Sequence, residues 1–280
     1  TESNGDFDKA VEYLREKGLA AAAKKAGRIA AEGMVFAEAD MAKKVGVVIE
    51  VNAETDFVAK NELFRTFVQD LAQIVINENP ADVDALLKCK MGDGDVDAAL
   101  KEKILVIGEN IKIRRFERFE GVCAAYVHGG GTHGVLVEFN TSDAVAAKPE
   151  FVAFGKDIAM QIAAVNPAYL NEASVPAEVL EKEKEILLAQ ISNDPKLASK
   201  PDQVKEKMVE GKIGKYYKEN CLVDQQFVKD GDLTVAQYVE KTGKELGGDI
   251  EIVKYVRFEK GEGLEKKEDD FAAEVASMVK

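Results

Sequence analysis

The chain has 280 residues, enough for a sizeable core and two or three lobes. Acids outnumber bases 51 to 38, a formal charge of −13, which makes a phosphate backbone a poor ligand and points away from direct nucleic-acid binding. Charged residues make up 32% and hydrophobic ones 46%, the balance of a soluble globular protein rather than a disordered or membrane chain.

In chain order, Ser3-Asn4-Gly5-Asp6 can cap a short helix, DFDKAVEYLREKG, with Phe7, Ala10, Val11 and Leu14 on one face and Gly18 as its stop. A second helix is expected over residues 19–33. MVFAEA (34–39) and KVGVVIEVN (44–52) carry the β-branched signature of strands. A polar turn with Thr55, Asp56 and Phe57 follows. ELFRTFVQDLAQIVINEN then reads as a helix with Leu63, Phe67, Leu71 and Ile74 at helical spacing, ended by Pro80. A further helix is expected over 96–110. IKIRRFERFE (111–120) alternates as a half-buried antiparallel strand, and GVCAAYVH and HGVLVEFN flank a Gly-rich hairpin tip.

Residues 46–62 and 134–150 match at seven of 17 positions without a gap: Gly46/Gly134, Val47/Val135, Glu50/Glu138, Asn52/Asn140, Ala59/Ala147, Lys60/Lys148 and Glu62/Glu150. One deletion later, the following helices also run in parallel. Two related α+β subdomains packed as one unit are expected, and the long period excludes a solenoid. In this alignment Thr55-Asp56-Phe57 faces Asp143-Ala144-Val145, so the polar-aromatic tip belongs to one copy. From Pro176 the chain becomes charge-dense and helical, with a narrow apolar stripe broken near Asn193-Asp194-Pro195. That pattern predicts two antiparallel helices in a protruding hairpin. Strands at 225–228 and 250–259 flank a short helix near 234–243. A last amphipathic helix is expected through Phe271, Val275 and Met278.

Candidate chemistry is sparse. Cys89, Cys123 and Cys221 are far apart and form no CxxC pair, which suits a reducing compartment and gives no zinc site. No apolar run approaches the roughly 18 residues of a membrane span, and the start is unlike a signal peptide, so a cytoplasmic location is expected. Two histidines and no tryptophan leave little for acid–base work. The stretch His128–His133 lacks the GK[ST] of a phosphate loop and any GxSxG partner, and reads as a hairpin tip used for contact. Asp93-Gly-Asp95-Val-Asp97 fails as a calcium loop, with Ala98 where Gly is needed and Ile104 where Glu is needed. Lys24-Lys25 and Arg114-Arg115 read as solvated faces. For Asp56-Phe57 two readings stand level. One is a first-turn acid beside a ring tucked into its own core. The other is an exposed tip that wedges into a partner.

TDFVAKNELF, NGDFDKAVEYLREKG, IGENIKIRRFERFEG, YVHGGGTHGVLV and RFEKGEGLEKKEDDFAAEVA together resemble bacterial elongation factor Ts, in the family's order and over nearly the whole chain. The resemblance implies a guanine nucleotide exchange factor for elongation factor Tu, with no bond-changing catalysis, no cofactor and no metal of its own. It implies that Thr55, Asp56 and Phe57 enter between two helices of the GTPase domain near the bound magnesium. Ile107 and Gly108 would support that contact, His128 would meet the partner's third domain, and the closing helix around Phe271 would touch the GTPase domain again. The implied organisation is a remnant of the N-terminal helical domain with a linker helix at 1–33 and a first core subdomain at 34–120. A second core subdomain follows at 121–175 and 221–263, with a coiled-coil hairpin at 176–220 and a C-terminal helical module at 264–280. Self-association through the hairpin, and a passive scaffold without exchange activity, are the alternatives this reading carries.

Overall fold

Two antiparallel three-stranded sheets, each with one copy of the repeated strand at its centre, organise an α+β fold. The computed structural model describes residues 6–266. The chain divides into one unit of Thr1–Leu136 with Val256–Lys280 and a second of Val137–Tyr255.

In the first unit, α1 (Phe7–Lys25) starts at Asp6, whose side chain accepts the Lys9 N–H. Gly18 does not stop it: the helix is continuous to Lys25, and the two separate helices expected over 6–33 are one. Gly18 is buried instead, facing α5, where a Cβ would make an ordinary contact with the Lys101 carbonyl at 3.5 Å. The side chains of Phe7, Ala10 and Val11 lie outside the described residues, and Leu14 is exposed. β1 (Glu32–Asp40) and β2 (Val45–Ala53) pair antiparallel. α2 (Asp56–Ala59) and α3 (Glu62–Glu78) follow, then α4 (Val83–Leu86) and a small ribbon of β3 (Lys90–Met91) and β4 (Gly94–Asp95) that periodicity did not reveal. α5 (Val96–Ile107) packs on α1, where Lys25 Nζ donates to the Ile104 carbonyl at 3.1 Å; Lys25 is therefore a helix-end contact and not part of a solvated face. β5 (Lys112–Glu120) completes the sheet in the order β1-β2-β5. β6 (Val122–His128) and β7 (His133–Thr141) form the expected hairpin.

β2 is buried along its whole length because both of its faces are covered. Val47, Ile49 and Val51 join Phe64, Phe67, Leu71 and Val75 of α3 in one core, while Val48 packs with Cys123 and Leu136 in another. The face of α3 is rotated from the expected stripe. Phe64 and Val68 are buried, and Leu63 is exposed, because the sheet takes the 64/67/68/71/75 face. A bulge between Glu50 and Val51 leaves Arg114 without a strand partner, opposite the Glu50–Arg115 pair. Adjacent strand residues ordinarily point to opposite faces. Here both arginines reach the fully buried Glu50 carboxylate, Arg114 Nη1 at 3.0 Å and Arg115 Nε at 2.7 Å, joined by Asn52 Nδ2 at 3.0 Å and the Gly261 N–H at 2.8 Å. The arginine pair expected on a solvated face is thus the counter-charge of a buried acid.

In the second unit the repeated pattern recurs. After β7 come α6 (Asp143–Ala146) and α7 (Pro149–Val165), whose Phe151, Phe154 and Ile158 are buried; Phe151 and Phe154 pack with Phe139. α8 (Ala177–Asn193) and α9 (Asp202–Asn220) form the helical hairpin, closed by its own apolar cluster of Leu187, Ile191, Val209 and Ile213. β8 (Gln226–Phe227), β9 (Asp230–Thr234) and α10 (Val235–Leu246) lead to β10 (Ile250–Glu259), which completes a sheet in the order β10-β7-β6.

The structure also locates the gap in the repeat. The two strands are 88 residues apart, 45 to 133, but the short helices are 87 apart, 56 to 143, as are the long helices, 62 to 149, and their left-handed caps Asn79 and Asn166. The extra residue therefore lies in the turn before α2, where Glu54 has no counterpart. In this register Asp56 matches Asp143, Val58 matches Val145, and Phe57 matches Ala144. The acid is thus framework common to both copies, and of the pair Asp56-Phe57 only the ring belongs to one copy.

Candidate partner-binding site

β2 runs out at Ala53, and the chain must turn before α2. Thr55 stands at the N-cap of α2 with extended backbone, yet its side chain makes no capping bond to its own helix. Its hydroxyl donates instead to Glu109 Oε1 at 2.6 Å. Glu109 Oε2 accepts the N–H groups of Glu54 and Thr55, both at 3.0 Å. The turn answers in kind: Glu54 Oε1 accepts the Asn110 N–H at 2.6 Å and pairs with Arg28 Nη1 at 3.3 Å. Asn110, itself buried, donates Nδ2 to the Arg28 carbonyl at 2.7 Å. Five residues from three parts of the chain thus form one polar clamp beneath the tip.

What the clamp presents is Phe57, 77% exposed and the most exposed large hydrophobic side chain among the described residues. The buried residue of α2 is Val58, the framework position shared with Val145. Of the two level readings of Phe57, the ring tucked into its own core is excluded. Lys60 Nζ stands 5.7 Å from the ring centroid and bonds Asp56 Oδ2 at 3.0 Å. That hydrogen bond from Lys60 is the chief reason the Asp56 carboxyl is held below its ordinary range.

Ile107 and Gly108 close α5. Gly108 takes a left-handed φ of 88° and returns its N–H to the Ile104 carbonyl at 3.1 Å, turning the chain so that Glu109 faces the tip. Ile107 is half-buried against the core and Gly108 is exposed. The structure therefore brings residues 54–57 and 107–110 together. His128 stands elsewhere, at the end of β6, in a hairpin tied to β1 by the Val35 N–H to Gly131 carbonyl bond at 2.8 Å. Its Nδ1 lies 3.1 Å from the Tyr126 hydroxyl, and its ring 6.2 Å from that of His133. Phe271 lies outside the described residues.

Sequence reasoning singled out Thr55, Asp56 and Phe57 but passed over Glu54, Glu109, Asn110 and Arg28. Glu109 and Asn110 sit in the same IGEN stretch as Ile107 and Gly108, so the signal was adjacent. Only the three-dimensional pairing across more than fifty residues separates their roles. Among the described residues no group of three or more His, Cys, Asp or Glu could hold a metal ion, and no helix is long and apolar enough to cross a membrane.

A family model described as "Elongation factor TS" matches residues 54–262. The chain belongs to the elongation factor Ts family. It is 52% identical to an elongation factor Ts of Clostridium perfringens strain 13 over 282 residues, covering 99% of this chain and 91% of that protein. It is 48% identical to those of Symbiobacterium thermophilum over 279 residues (98% and 88%) and Syntrophotalea carbinolica over 285 residues (100% and 91%). Residues 54–57 and 107–110 fall inside the matched span, and Arg28 of the clamp lies before it.

Proposed function

We propose that this member of the elongation factor Ts family promotes loss of GDP from elongation factor Tu by docking the Phe57 ring into the GTPase domain close to its magnesium site. Family membership supports the general activity, nucleotide exchange on elongation factor Tu without bond-changing catalysis. The observation that carries the finer reading is the solvent-facing Phe57 on a clamped turn, at a position where the second copy of the same unit has Ala144. A ring kept out of water's reach only by a partner gains transfer energy on docking, and a firmly held support turns that gain into displacement of the partner's own groups. Asp56 accompanies the ring as a carboxylate able to compete for a basic group near the nucleotide. Ile107 and Gly108 support the contact from the neighbouring loop, and His128 meets a separate domain of the partner.

The direct test mixes the full chain with elongation factor Tu loaded with fluorescent GDP and follows release over time. Acceleration that saturates with the chain's concentration is expected. A complex that forms while release keeps its intrinsic rate would make the chain a passive scaffold and end this reading.

A further inference from the structure

We propose that Glu109 is the positioning residue that aims Phe57 at the partner, an inference that rests on the reading of Phe57 as the docking ring. The second copy of the repeat shows what a strand–turn–helix of this kind needs in order to form. There Ser142 stands at the cap and accepts the Val145 N–H at 3.3 Å, a local solution contained within four residues. The first copy has a hydroxyl at the same position and withholds it from its helix. Thr55 donates to Glu109 instead, and the same carboxylate gathers two main-chain N–H groups of the turn. Three donors converge on one acceptor from another part of the chain, a charge-assisted arrangement stronger than neutral bonds. Glu54, the residue inserted relative to the second copy, returns a carboxylate to the Asn110 N–H and so closes the loop from the other side.

The turn could form without Glu109, as its counterpart does. What Glu109 adds is a fixed direction for α2, and so for Phe57 at its second residue. A locally capped turn moves with its own helix, whereas this one is referred to the end of α5. Glu109 also directly follows Ile107 and Gly108. A partner that presses on that loop therefore presses, through one carboxylate, on the tip itself.

The test uses Glu109→Ala and Glu109→Gln in the full chain, with the release of fluorescent GDP from elongation factor Tu measured across exchange-factor concentration. The saturating rate and the half-saturating concentration are read separately. Glu109→Ala should lower the saturating rate about tenfold, the equivalent of about 1.4 kcal/mol. Glu109→Gln, which keeps one carbonyl acceptor but sets amide donors against the turn's N–H groups, should fall between it and the parent. Phe57→Ala combined with Glu109→Ala should be no slower than the slower single variant, because a misaimed ring and a missing ring fail alike. A merely structural role would reduce the amount of competent protein, moving the half-saturating concentration and the melting temperature but not the saturating rate. Saturating rates within about twofold of the parent for both variants, or losses that multiply in the double variant, overturn the proposal. If Glu109→Ala does not fold, Glu109→Gln and Thr55→Val carry the same comparison. Normal release by Phe57→Ala sinks the docking reading itself. Slow release by Phe57→Ala beside normal Glu109 variants sinks only the positioning role.

Discussion

Phe57→Ala should slow nucleotide release from elongation factor Tu while leaving the chain's own stability in place. The ring is 77% exposed, and the ammonium of Lys60 stands 5.7 Å from its centroid. Truncation therefore removes little native packing, and the melting temperature should stay within about 2 °C of the parent. Complete burial of a phenylalanine side chain is worth roughly 1.5–3 kcal/mol, and about three quarters of that is still to be gained when the ring docks. Removing it should weaken the docked state by about 1–2 kcal/mol, a factor of roughly 5 to 30. Stopped-flow release of fluorescent GDP, at saturating and sub-saturating exchange factor, reads this directly. Ala144 of the second copy sets the expectation for the fold, since the same helix forms there without a ring. Parental release rates at every concentration would refute the reasoning. So would a large fall in melting temperature, because it would mean that the ring is part of the core after all.

Glu50→Ala should destabilise the first unit by about 3–5 kcal/mol, read as a lowered denaturant midpoint, because Arg114, Arg115, Asn52 and the Gly261 N–H all lose their shared acceptor. Burial alone would raise the Glu50 carboxyl, but hydrogen bonds from Gly261, Asn52, Arg115 and Arg114 together hold it below its ordinary 4.5. On acidification the unfolded chain takes up that proton first. The stabilisation is therefore complete above the ordinary value and is lost as pH falls through the lower folded value. The parent's stability should decline more steeply than that of Glu50→Gln below about pH 4.5, and parallel profiles would contradict this. Gly33→Ala should destabilise by at least about 2 kcal/mol, since φ is +101° and a Cβ would lie 2.2 Å from the Val51 carbonyl oxygen. A thermal melt within about a degree of the parent would refute that account. His128→Ala should raise the half-saturating concentration for elongation factor Tu with no change in melting temperature, because its ring is exposed at a hairpin end. An unchanged titration would remove His128 from the contact surface.

Elements were legible where a short period decides them. β2 reads as a strand because five of its nine residues are β-branched, and α3 reads as a helix from its apolar spacing. The face of α3 was less legible, since Leu63 and Phe64 are both apolar and only the sheet chooses between them. Gly18 shows the same limit. A glycine reads as a stop in a sequence, but here it lies buried within a continuous helix beside Lys101 of α5. The repeat shows another. The ungapped alignment across the turn gains Ala59/Ala147, Lys60/Lys148 and Glu62/Glu150. The register of the structure gains Asp56/Asp143, Val58/Val145, Ala59/Ala146 and, in the first turn of the long helix, Phe64/Phe151, one identity more. So small a margin is easily passed over, and cap geometry places the gap. The ring was singled out from the sequence for the right contrast, although one residue out of register. The clamp was not, because bonds that join Arg28 and residues 54–55 to residues 109–110 leave no periodic trace. The same is true of Arg114 and Arg115, whose charged pair looked solvated until a bulge turned both toward Glu50.

Energetics explain why so much of the local chemistry serves stiffness. An exchange factor weakens nucleotide binding only as far as nucleotide weakens its own binding, and each factor of ten in that coupling is about 1.4 kcal/mol. Phe57 brings about 1–2 kcal/mol to the docked state. Ordering a loose four-residue tip at the moment of docking would cost about 4–8 kcal/mol, at 1–2 kcal/mol per residue. On an unrestrained loop the ring's gain would be consumed several times over before any of it displaced the partner's groups. The bonds from Glu109 and Glu54 are made in the chain's own folded state, so that entropy is lost during folding and the ring's burial remains available for the coupling. On these magnitudes a tip with its ring but without its clamp would bind elongation factor Tu through its other surfaces and hardly hasten release.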